Sequence, residues 1–150
     1  MRRRWETIKK SDIALLIAFF GAYNSKVRGR TRVQKDICVL KHKNKIPFNF
    51  KFEPNYYGPY SYELTDTVDT LVAAGLLEQS ITHLSSGIRR YDYALTEEGE
   101  EMFQKIKMAP DLRTSGLLKK LTNRTRVLKA MSIPEVTDLA KKCSGIHSTI

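Results

Sequence analysis

Residues 75–99, GLLEQSITHLSSGIRRYDYALTEEG, decide the fold that we expect for this chain. The segments 76–82 and 88–95 are rich in apolar and β-branched residues, which predicts two strands. The turn residues Ser85-Ser86-Gly87 lie between them, so the two strands should form a β-hairpin. Thr96 follows as the N-cap of a helix that carries two glutamates in its first turn, where the helix dipole favours negative charge.

Two helices are predicted near the amino end of the chain. The run Asp12–Tyr23 is apolar on most sides, so we expect a buried helix with Ser11 or Asp12 at its N-cap. Thr31 and Gln34 have the spacing of a capping box, in which each side chain bonds the backbone amide of the other residue. A second helix should follow from that box.

A third helix should lie between the second helix and the hairpin. Apolar residues recur at helical spacing from Leu64 to Val72, Ser61 is a suitable N-cap, and Gly75 suits the position just past the end. Upstream, apolar and polar residues alternate over Phe48–Phe52, which predicts a half-buried strand or extended segment.

Residues 111–150 are predicted to form a helical appendage to a domain that spans residues 1–110. A helix should run from about residue 115 to residue 130, and Pro134 suits the first turn of a short further helix. The apolar side of the first of these helices is larger than a lone terminal helix needs, so we expect it to join two copies of the chain into a homodimer. That side consists of Leu117, Leu118, Leu121 and Leu128.

Length and composition exclude several classes of protein. The chain has 150 residues, of which 41% are hydrophobic, so it can build a core of its own. Its two cysteines cannot form a disulfide framework, which favours a reducing compartment. The apolar run Ile13–Tyr23 is too short to cross a bilayer, and no clear cleavage site follows it. We therefore expect a cytoplasmic protein that is not inserted in a membrane.

Charge is distributed unevenly along the chain, whose formal net charge is +10. Residues 1–51 carry fourteen basic and three acidic side chains, and residues 112–150 carry eight basic and two acidic ones. The segment between them carries eleven acidic and four basic side chains. If the two basic ends meet in space, one side of the protein is positive and suits an anionic partner. The alternative is that these charges are simply solvated.

Four short stretches together resemble a known family. They are GRTRVQK at residues 29–35, YGPYS at 57–61, GLL at 75–77 and YALTEEG at 93–99. These stretches resemble the YwgA-like family of winged helix-turn-helix proteins of bacteria and archaea, over roughly residues 12–107. The chain is also similar, more distantly, to Panacea-type antitoxin domains. The resemblance implies an α+β, mostly α fold: a winged helix-turn-helix with additional C-terminal helices.

The resemblance further implies a DNA-binding transcriptional regulator, with the third helix in the major groove and the hairpin, or wing, near the backbone. Arginines at the start of the second helix could hold phosphates, and those past the hairpin turn could reach phosphates or the minor groove. An arm of basic residues at 1–10 could add phosphate contacts. The residues expected to contact duplex DNA are Arg28, Arg30, Thr31, Arg32, Lys35, Lys43, Lys45, Tyr60, Arg89 and Arg90.

Two features favour other interpretations. The outward side of the third helix carries Glu63, Asp66 and Asp69 and no cation, so phosphates would be repelled there. A winged helix that docks a protein partner through this acidic helix, as an antitoxin or adaptor, is the alternative function. Arg30 and Arg32 also have an alternative role, which is to pair with carboxylates of the protein itself.

The tyrosines around the Gly-Pro turn also allow two interpretations. Tyr56, Tyr57, Tyr60 and Tyr62 could stack on bases, or they could plug the core with only their hydroxyl groups in water. The second interpretation is the more frequent one for aromatic residues beside such a turn.

No motif of an enzyme or cofactor site is present in the sequence. It has no glycine-rich phosphate loop and no recognised nucleophile motif, so we expect neither catalysis nor a cofactor. The pairs Cys38 with His42 and Cys143 with His147 each have the i, i+4 spacing that places two metal ligands on one helix face. Without a CxxC or HxxxH pattern this coincidence is weak, and we expect no metal.

Overall fold

The computed structural model describes residues 8–149, which form seven helices and five strands in an α+β arrangement. The predicted basic arm at residues 1–10 lies largely outside the described residues. In chain order the elements are α1 (Lys10–Tyr23), β1 (Val27–Arg28), α2 (Arg30–His42), β2 (Glu53–Asn55), β3 (Gly58–Tyr60), α3 (Tyr62–Ala73), β4 (Leu77–His83), β5 (Arg89–Leu95), α4 (Glu97–Met108), α5 (Pro110–Thr114), α6 (Leu117–Lys129) and α7 (Ile133–Ser144).

The predicted hairpin is confirmed as β4 and β5, which pair antiparallel from Leu77 opposite Leu95 to His83 opposite Arg89. The two-residue strand β1 pairs with the other edge of β5, so the sheet has the order β1-β5-β4. The sequence does not predict β1, because two residues are too few to show an alternating pattern. The sheet thereby places the start of α2 beside β5.

Helix α4 begins as its sequence predicts. The Thr96 hydroxyl accepts a hydrogen bond from the backbone N–H of Gly99 at 3.1 Å and donates one to the carbonyl of Gly75 at 2.6 Å. A β-carbon on Gly99 would lie 2.2 Å from the carbonyl oxygen of Leu76. Only glycine therefore permits α4 to pack this closely against the chain that enters the hairpin.

The capping box predicted for α2 is wrong. Gly29 occupies the N-cap position, and no side chain caps the helix there. Gln34 instead bonds the backbone of Ser61: its amide oxygen accepts from the N–H at 2.8 Å and its amide nitrogen donates to the carbonyl at 2.9 Å. Thr31 is left as a half-buried residue of the first turn. A contact 27 residues away thus replaces the local bond.

The start of α1 also differs from the prediction. Lys9, and neither Ser11 nor Asp12, is the N-cap residue. The Asp12 carboxylate accepts instead from the backbone N–H of Asn49 at 2.9 Å. This bond fixes the segment 46–52, which buries its three phenylalanines alternately but belongs to no helix or sheet.

The core does not divide at residue 110. Leu121 and Leu128 of α6 and Val136 and Ala140 of α7 belong to the same buried cluster as Leu16 of α1. Helix α6 packs on α1, and α7 packs on α2. Of the four leucines on which the homodimer prediction rests, Leu121 and Leu128 are buried inside the protomer and Leu117 and Leu118 are half-buried against the same core. That prediction therefore loses its main support.

The C-terminal segment differs from the prediction in one further respect. It contains the short helix α5, which the sequence does not predict, whereas the helix expected from about residue 115 to residue 130 is confirmed as α6; Gly116, with a left-handed φ of 75°, separates the two helices. The predicted helix at Pro134 is confirmed, and Ser132 and Glu135 form its capping box. None of the helices within residues 8–149 has the length and apolar character that a membrane crossing requires.

Candidate functional site

The ten residues predicted to contact DNA differ in their exposure. Five are exposed: Arg28, Arg30, Lys43, Lys45 and Arg89. Three are half-buried: Thr31, Tyr60 and Arg90. Two are buried: Arg32 and Lys35.

Arg32 is an interior residue, so its prediction as a surface phosphate contact is wrong. Its guanidinium donates to the carbonyls of Leu128 at 3.2 Å and Met131 at 2.5 Å. It also forms the predicted alternative pair with Asp36, at 3.4 Å. Arg32 therefore ties α2 to the end of α6.

Lys35 is also buried, and its ammonium group donates to the carbonyl of Pro59 at 2.7 Å. Its prediction as an exposed phosphate contact is wrong. Burial, together with a smaller effect of the positive charge of Lys141, lowers the pKa of Lys35 to about 8. The side chain nevertheless lines a groove of the surface, described below.

Lys43 and Lys45 are not brought together with the other predicted contacts. Lys43 follows the last turn of α2, a helix of 13 residues whose first residue is Arg30. Thirteen residues of α-helix span about 20 Å. Lys43 lines a different groove, between α2 and the helices α6 and α7.

The two arginines of the wing have different surroundings. Arg90 forms two hydrogen bonds with Asp92, at 2.8 and 3.0 Å, and this pair lowers the pKa of the buried Asp92 carboxyl group. Arg89 is exposed next to the turn. Arg89 is therefore the wing arginine that suits a phosphate contact, whereas Arg90 holds Asp92.

Arg30 is exposed but fixed in position. Its Nε donates to the hydroxyl of Tyr93 at 3.0 Å, and its guanidinium lies 4.1 Å from the centre of the Tyr91 ring. Both tyrosines belong to β5, so the sheet orients the first residue of α2. A cation held in this way loses little conformational freedom when it binds an anion.

Two adjoining grooves lie beside the start of α2. The larger has a volume of about 500 Å³ and is bordered by Arg28 and Arg90 on one side and by α7 on the other. The smaller, of about 290 Å³, is lined by Arg30, Lys35 and four tyrosines. We call the pair the tyrosine groove, because both share Thr31, Tyr56 and Tyr57.

A second hairpin, formed by β2 and β3, builds the wall of the tyrosine groove. Tyr56 and Tyr57 are the two residues of its turn, between Asn55 and Gly58. Gly58 has a φ of 104°, and the stem of Lys141 lies against it, so a β-carbon there would come within 3.1 Å of that side chain. The bonds from Gln34 and Lys35 anchor the strand that follows.

Three of the four tyrosines are exposed, so the core-plug interpretation is wrong for them. Tyr56, Tyr57 and Tyr62 have 65%, 73% and 58% of their surface accessible. Tyr60 is half-buried, and its hydroxyl lies 2.7 Å from the Thr65 hydroxyl.

Sequence reasoning missed Lys141 as a groove residue. It lies in α7, which meets β3 and α2 only in the folded chain. Its separation from Gly58 exceeds 80 residues in the sequence, and no local pattern links the two. The hairpin β2–β3 was also missed, although Asn55 and the Gly-Pro dipeptide are turn signals.

The outward side of α3 is acidic, as the sequence indicates, and its carboxylates are engaged. Glu63 accepts from the backbone N–H of Lys51 at 2.9 Å. Asp69 lies close enough to Arg30 to raise the pKa of that guanidinium. Helix α3 therefore presents negative charge beside the cations at the start of α2.

The two cysteine–histidine pairs do not assemble into a metal site. Cys38 lies 3.5 Å from Nδ1 of His42. The thiols of Cys38 and Cys143 both point at the carbonyl of Ala140, and a hydrogen bond between them lowers the pKa of Cys143. Across residues 8–149, no cluster of three or more metal-ligating side chains is present.

Comparison with known proteins gives one informative similarity. No protein-family profile matches the chain. The chain is 33% identical over 91 residues to "Uncharacterized protein YwgA" of Bacillus subtilis (strain 168), which corresponds to 60% of this chain and 54% of that protein. The chain thus spans about half the length of this relative.

Proposed function

We propose that this protein is a winged-helix DNA-binding protein that regulates transcription. The observation that carries the proposal is the charge of the tyrosine groove. The exposed cations Arg28 and Arg30 and the half-buried Lys141 line it, together with a single carboxylate, that of Asp138. Arg90 and Lys35 also line it, but Arg90 is paired with Asp92 and Lys35 is buried against the carbonyl of Pro59. Phosphate neutralisation supplies most of the affinity of ordinary DNA binders, so such a surface suits DNA.

The order of the elements supports the winged-helix proposal. Helices α1, α2 and α3 precede the hairpin β4–β5, and the short strand β1 completes the sheet. This is the order that the resemblance to the YwgA-like family implies.

Exposed arginines on two sides of the sheet are the proposed phosphate contacts. Arg28 ends β1 and Arg30 begins α2, so they flank the positive end of the α2 dipole. Arg89 precedes Tyr91 by two residues in β5, so it lies on the sheet face over which Arg30 is held and adds charge to that face. Because α3 is acidic, it does not enter the major groove in this proposal, and the duplex lies against α2 and the wing.

The test compares two double variants with the same loss of charge. Arg28→Ala with Arg89→Ala removes two exposed cations from the proposed contact, whereas Lys43→Ala with Lys45→Ala removes two from the far end of α2. Binding to a random blunt duplex is measured by fluorescence anisotropy at several salt concentrations. Each lost phosphate contact reduces the slope of log K against log salt concentration by about 0.9 in magnitude. This slope should therefore fall by about 2 for the first variant and stay almost unchanged for the second.

The comparison of these variants distinguishes phosphate contacts by Arg28 and Arg89 from electrostatic attraction by the net charge of the protein. If the two double variants bind equally well, the affinity reflects net charge alone and the proposed interface is wrong. If the wild type binds no duplex even at low salt, the proposed function itself is wrong.

A second candidate function is supported by α3. Its outward side carries three carboxylates and its sequence, residues 62–73, contains no lysine, arginine or histidine. This charge suits a basic protein partner, and a winged helix that docks such a partner is our alternative proposal.

A further inference from the structure

We propose that the tyrosine groove binds unpaired nucleotides of a DNA strand, beside the duplex that contacts α2 and the wing. This inference rests on the proposed function, because it names the form of DNA that the same surface recognises. Stacking of bases on Tyr56 and Tyr57 and phosphate contacts from the surrounding cations would hold the strand.

The exposure of the tyrosines is the first observation behind this inference. Tyr56 and Tyr57 form the tip of a hairpin and leave 65% and 73% of their surface accessible. The hairpin itself is firmly anchored: Lys35 bonds the carbonyl of Pro59, and the backbone N–H of Thr149 donates to the carbonyl of Asn55 at 3.0 Å. Rigid aromatic faces that the core does not use are well suited to stacking.

The distribution of cations is the second observation. Arg28 borders one half of the groove and Arg30 the other, with the shared tyrosines between them. Lys35 is buried against the carbonyl of Pro59, so Arg28 and Arg30 are the exposed cations that flank the tyrosines. Aromatic faces flanked by cations are how proteins bind single strands, since bases stack while phosphates are neutralised.

A blunt duplex cannot use the tyrosine faces. Bases in a duplex are stacked on their neighbours and offer only their edges in the grooves. A ring stacks on a base only when that base is unpaired or flipped out. The exposed faces of Tyr56 and Tyr57 therefore add nothing to duplex binding but add affinity for a strand that leaves the duplex.

The lining charge favours a nucleic acid over a proline-rich peptide. Such peptides also bind aromatic grooves, but through ring packing and not through a cluster of positive charge. Because Arg28, Arg30 and Lys141 line the groove beside a single carboxylate, that of Asp138, a polyanion is the better match. A proline-rich peptide is therefore a competing occupant to be tested directly.

The experiment uses the full chain and three DNA probes: a blunt duplex, the same duplex with a short thymidine tail, and the tail alone. We expect the tailed duplex to bind the wild type more tightly than the blunt one. Tyr56→Ala with Tyr57→Ala should abolish this advantage, a loss of at least about fivefold, and leave blunt-duplex affinity unchanged. Tyr56→Phe with Tyr57→Phe keeps both rings and should retain the advantage.

Each of the other outcomes rejects the inference, the proposed function or both. Equal affinity of wild type for blunt and tailed duplexes rejects the inference but leaves the proposed function intact. A tail advantage that survives the double alanine variant also rejects it, because the tail then binds elsewhere. If a proline-rich peptide displaces the tailed duplex and the protein does not bind the tail alone, the groove is assigned to a peptide. Failure of every probe to bind rejects the proposed function as well.

Discussion

Helices α2 and α3 use polar residues in opposite ways. Helix α3 is amphipathic: Leu64, Val68 and Leu71 face the core, and its carboxylates face outward. Helix α2 has a polar sequence, RTRVQKDICVLKH, yet it buries Arg32, Gln34, Lys35 and Asp36.

The difference follows from what covers each helix. Helix α3 packs against the rest of the protein on one side only, so the apolar residues that recur at helical spacing in its sequence are the ones that are buried. Helix α2 lies between β3 on one side and α6 and α7 on another. Arg32, Gln34 and Lys35 bond backbone groups of distant segments, which offsets the cost of burying them. Asp36 bonds the Arg32 side chain instead. Polar residues in a central helix therefore mark contacts with distant segments, whereas those of α3 mark solvent or a partner.

The largest expected effect comes from removing the cation that joins α2 to α6. Arg32→Ala deletes the bonds to Leu128 and Met131 and leaves the buried Asp36 carboxyl group without its partner. Breaking a buried pair from one side costs about 3–5 kcal/mol, so the free energy of unfolding should fall by that amount in urea titrations. Arg28→Ala is the control, because Arg28 is exposed. Equal stability of the two variants would show that burial of Arg32 does not matter.

The next effect is a pH dependence of stability that Asp36 introduces. Burial raises its pKa from 3.8 to about 7 in the folded protein, and one carboxylate oxygen has no partner within residues 8–149. Between these pH values the folded state binds a proton that the unfolded state does not. Stability therefore falls as pH rises from about 4 to 7, by at most about 4 kcal/mol, and stays low above that range.

The check on this pH dependence is Asp36→Asn. The difference in unfolding free energy between wild type and variant should change across the range from pH 4 to 7, in favour of the variant at higher pH. Asp111→Asn, at an exposed site, should leave the difference constant. A difference that does not vary with pH for Asp36→Asn would show that this carboxyl group does not titrate abnormally.

A smaller effect should follow from the link between α2 and the start of α3. Gln34→Ala removes both bonds to Ser61 and leaves the buried N–H of Ser61 unsatisfied, while its carbonyl keeps the bond from the N–H of Thr65 at 3.3 Å. Such a loss costs about 1–3 kcal/mol, measured by thermal or urea unfolding. The same substitution at the exposed Gln104 of α4 is the control. If both variants unfold alike, Gln34 does not hold α3 in place.

The smallest expected effect concerns the outer side of α3. Glu63→Gln with Asp66→Asn should leave affinity for random duplex DNA unaltered, because in our proposal this helix does not approach phosphates. Asp69 is kept, since it lies beside Arg30, a proposed phosphate contact. Binding is compared with wild type at two salt concentrations, since repulsion grows as salt is lowered. A clear rise in affinity at low salt would show that α3 lies against the duplex. Loss of binding to a basic protein partner would support the alternative function.

The predictable parts of the fold depend on neighbouring residues. The turn at Ser85-Ser86-Gly87, the N-cap of α4 at Thr96 and that of α3 at Ser61 are confirmed. Each uses bonds between groups a few residues apart, so the sequence alone carries the information. The sequence likewise predicts the pairing of β4 with β5, the acidic side of α3 and the exposure of Arg28, Arg30 and Arg89.

Only the tertiary structure decided which charges are available to a ligand. Arg32 and Lys35 have the same residue types as the exposed Arg28 and Lys43, yet they bond Leu128 and Pro59 in the interior. The hairpin β2–β3 brings exposed tyrosines beside Arg28, and α7 adds Lys141. Burial depends on which helices cover a residue, and those helices are up to a hundred positions away along the chain. The sequence thus determined the local elements and the excess of positive charge, whereas packing between distant segments determined where that charge and the tyrosine rings meet.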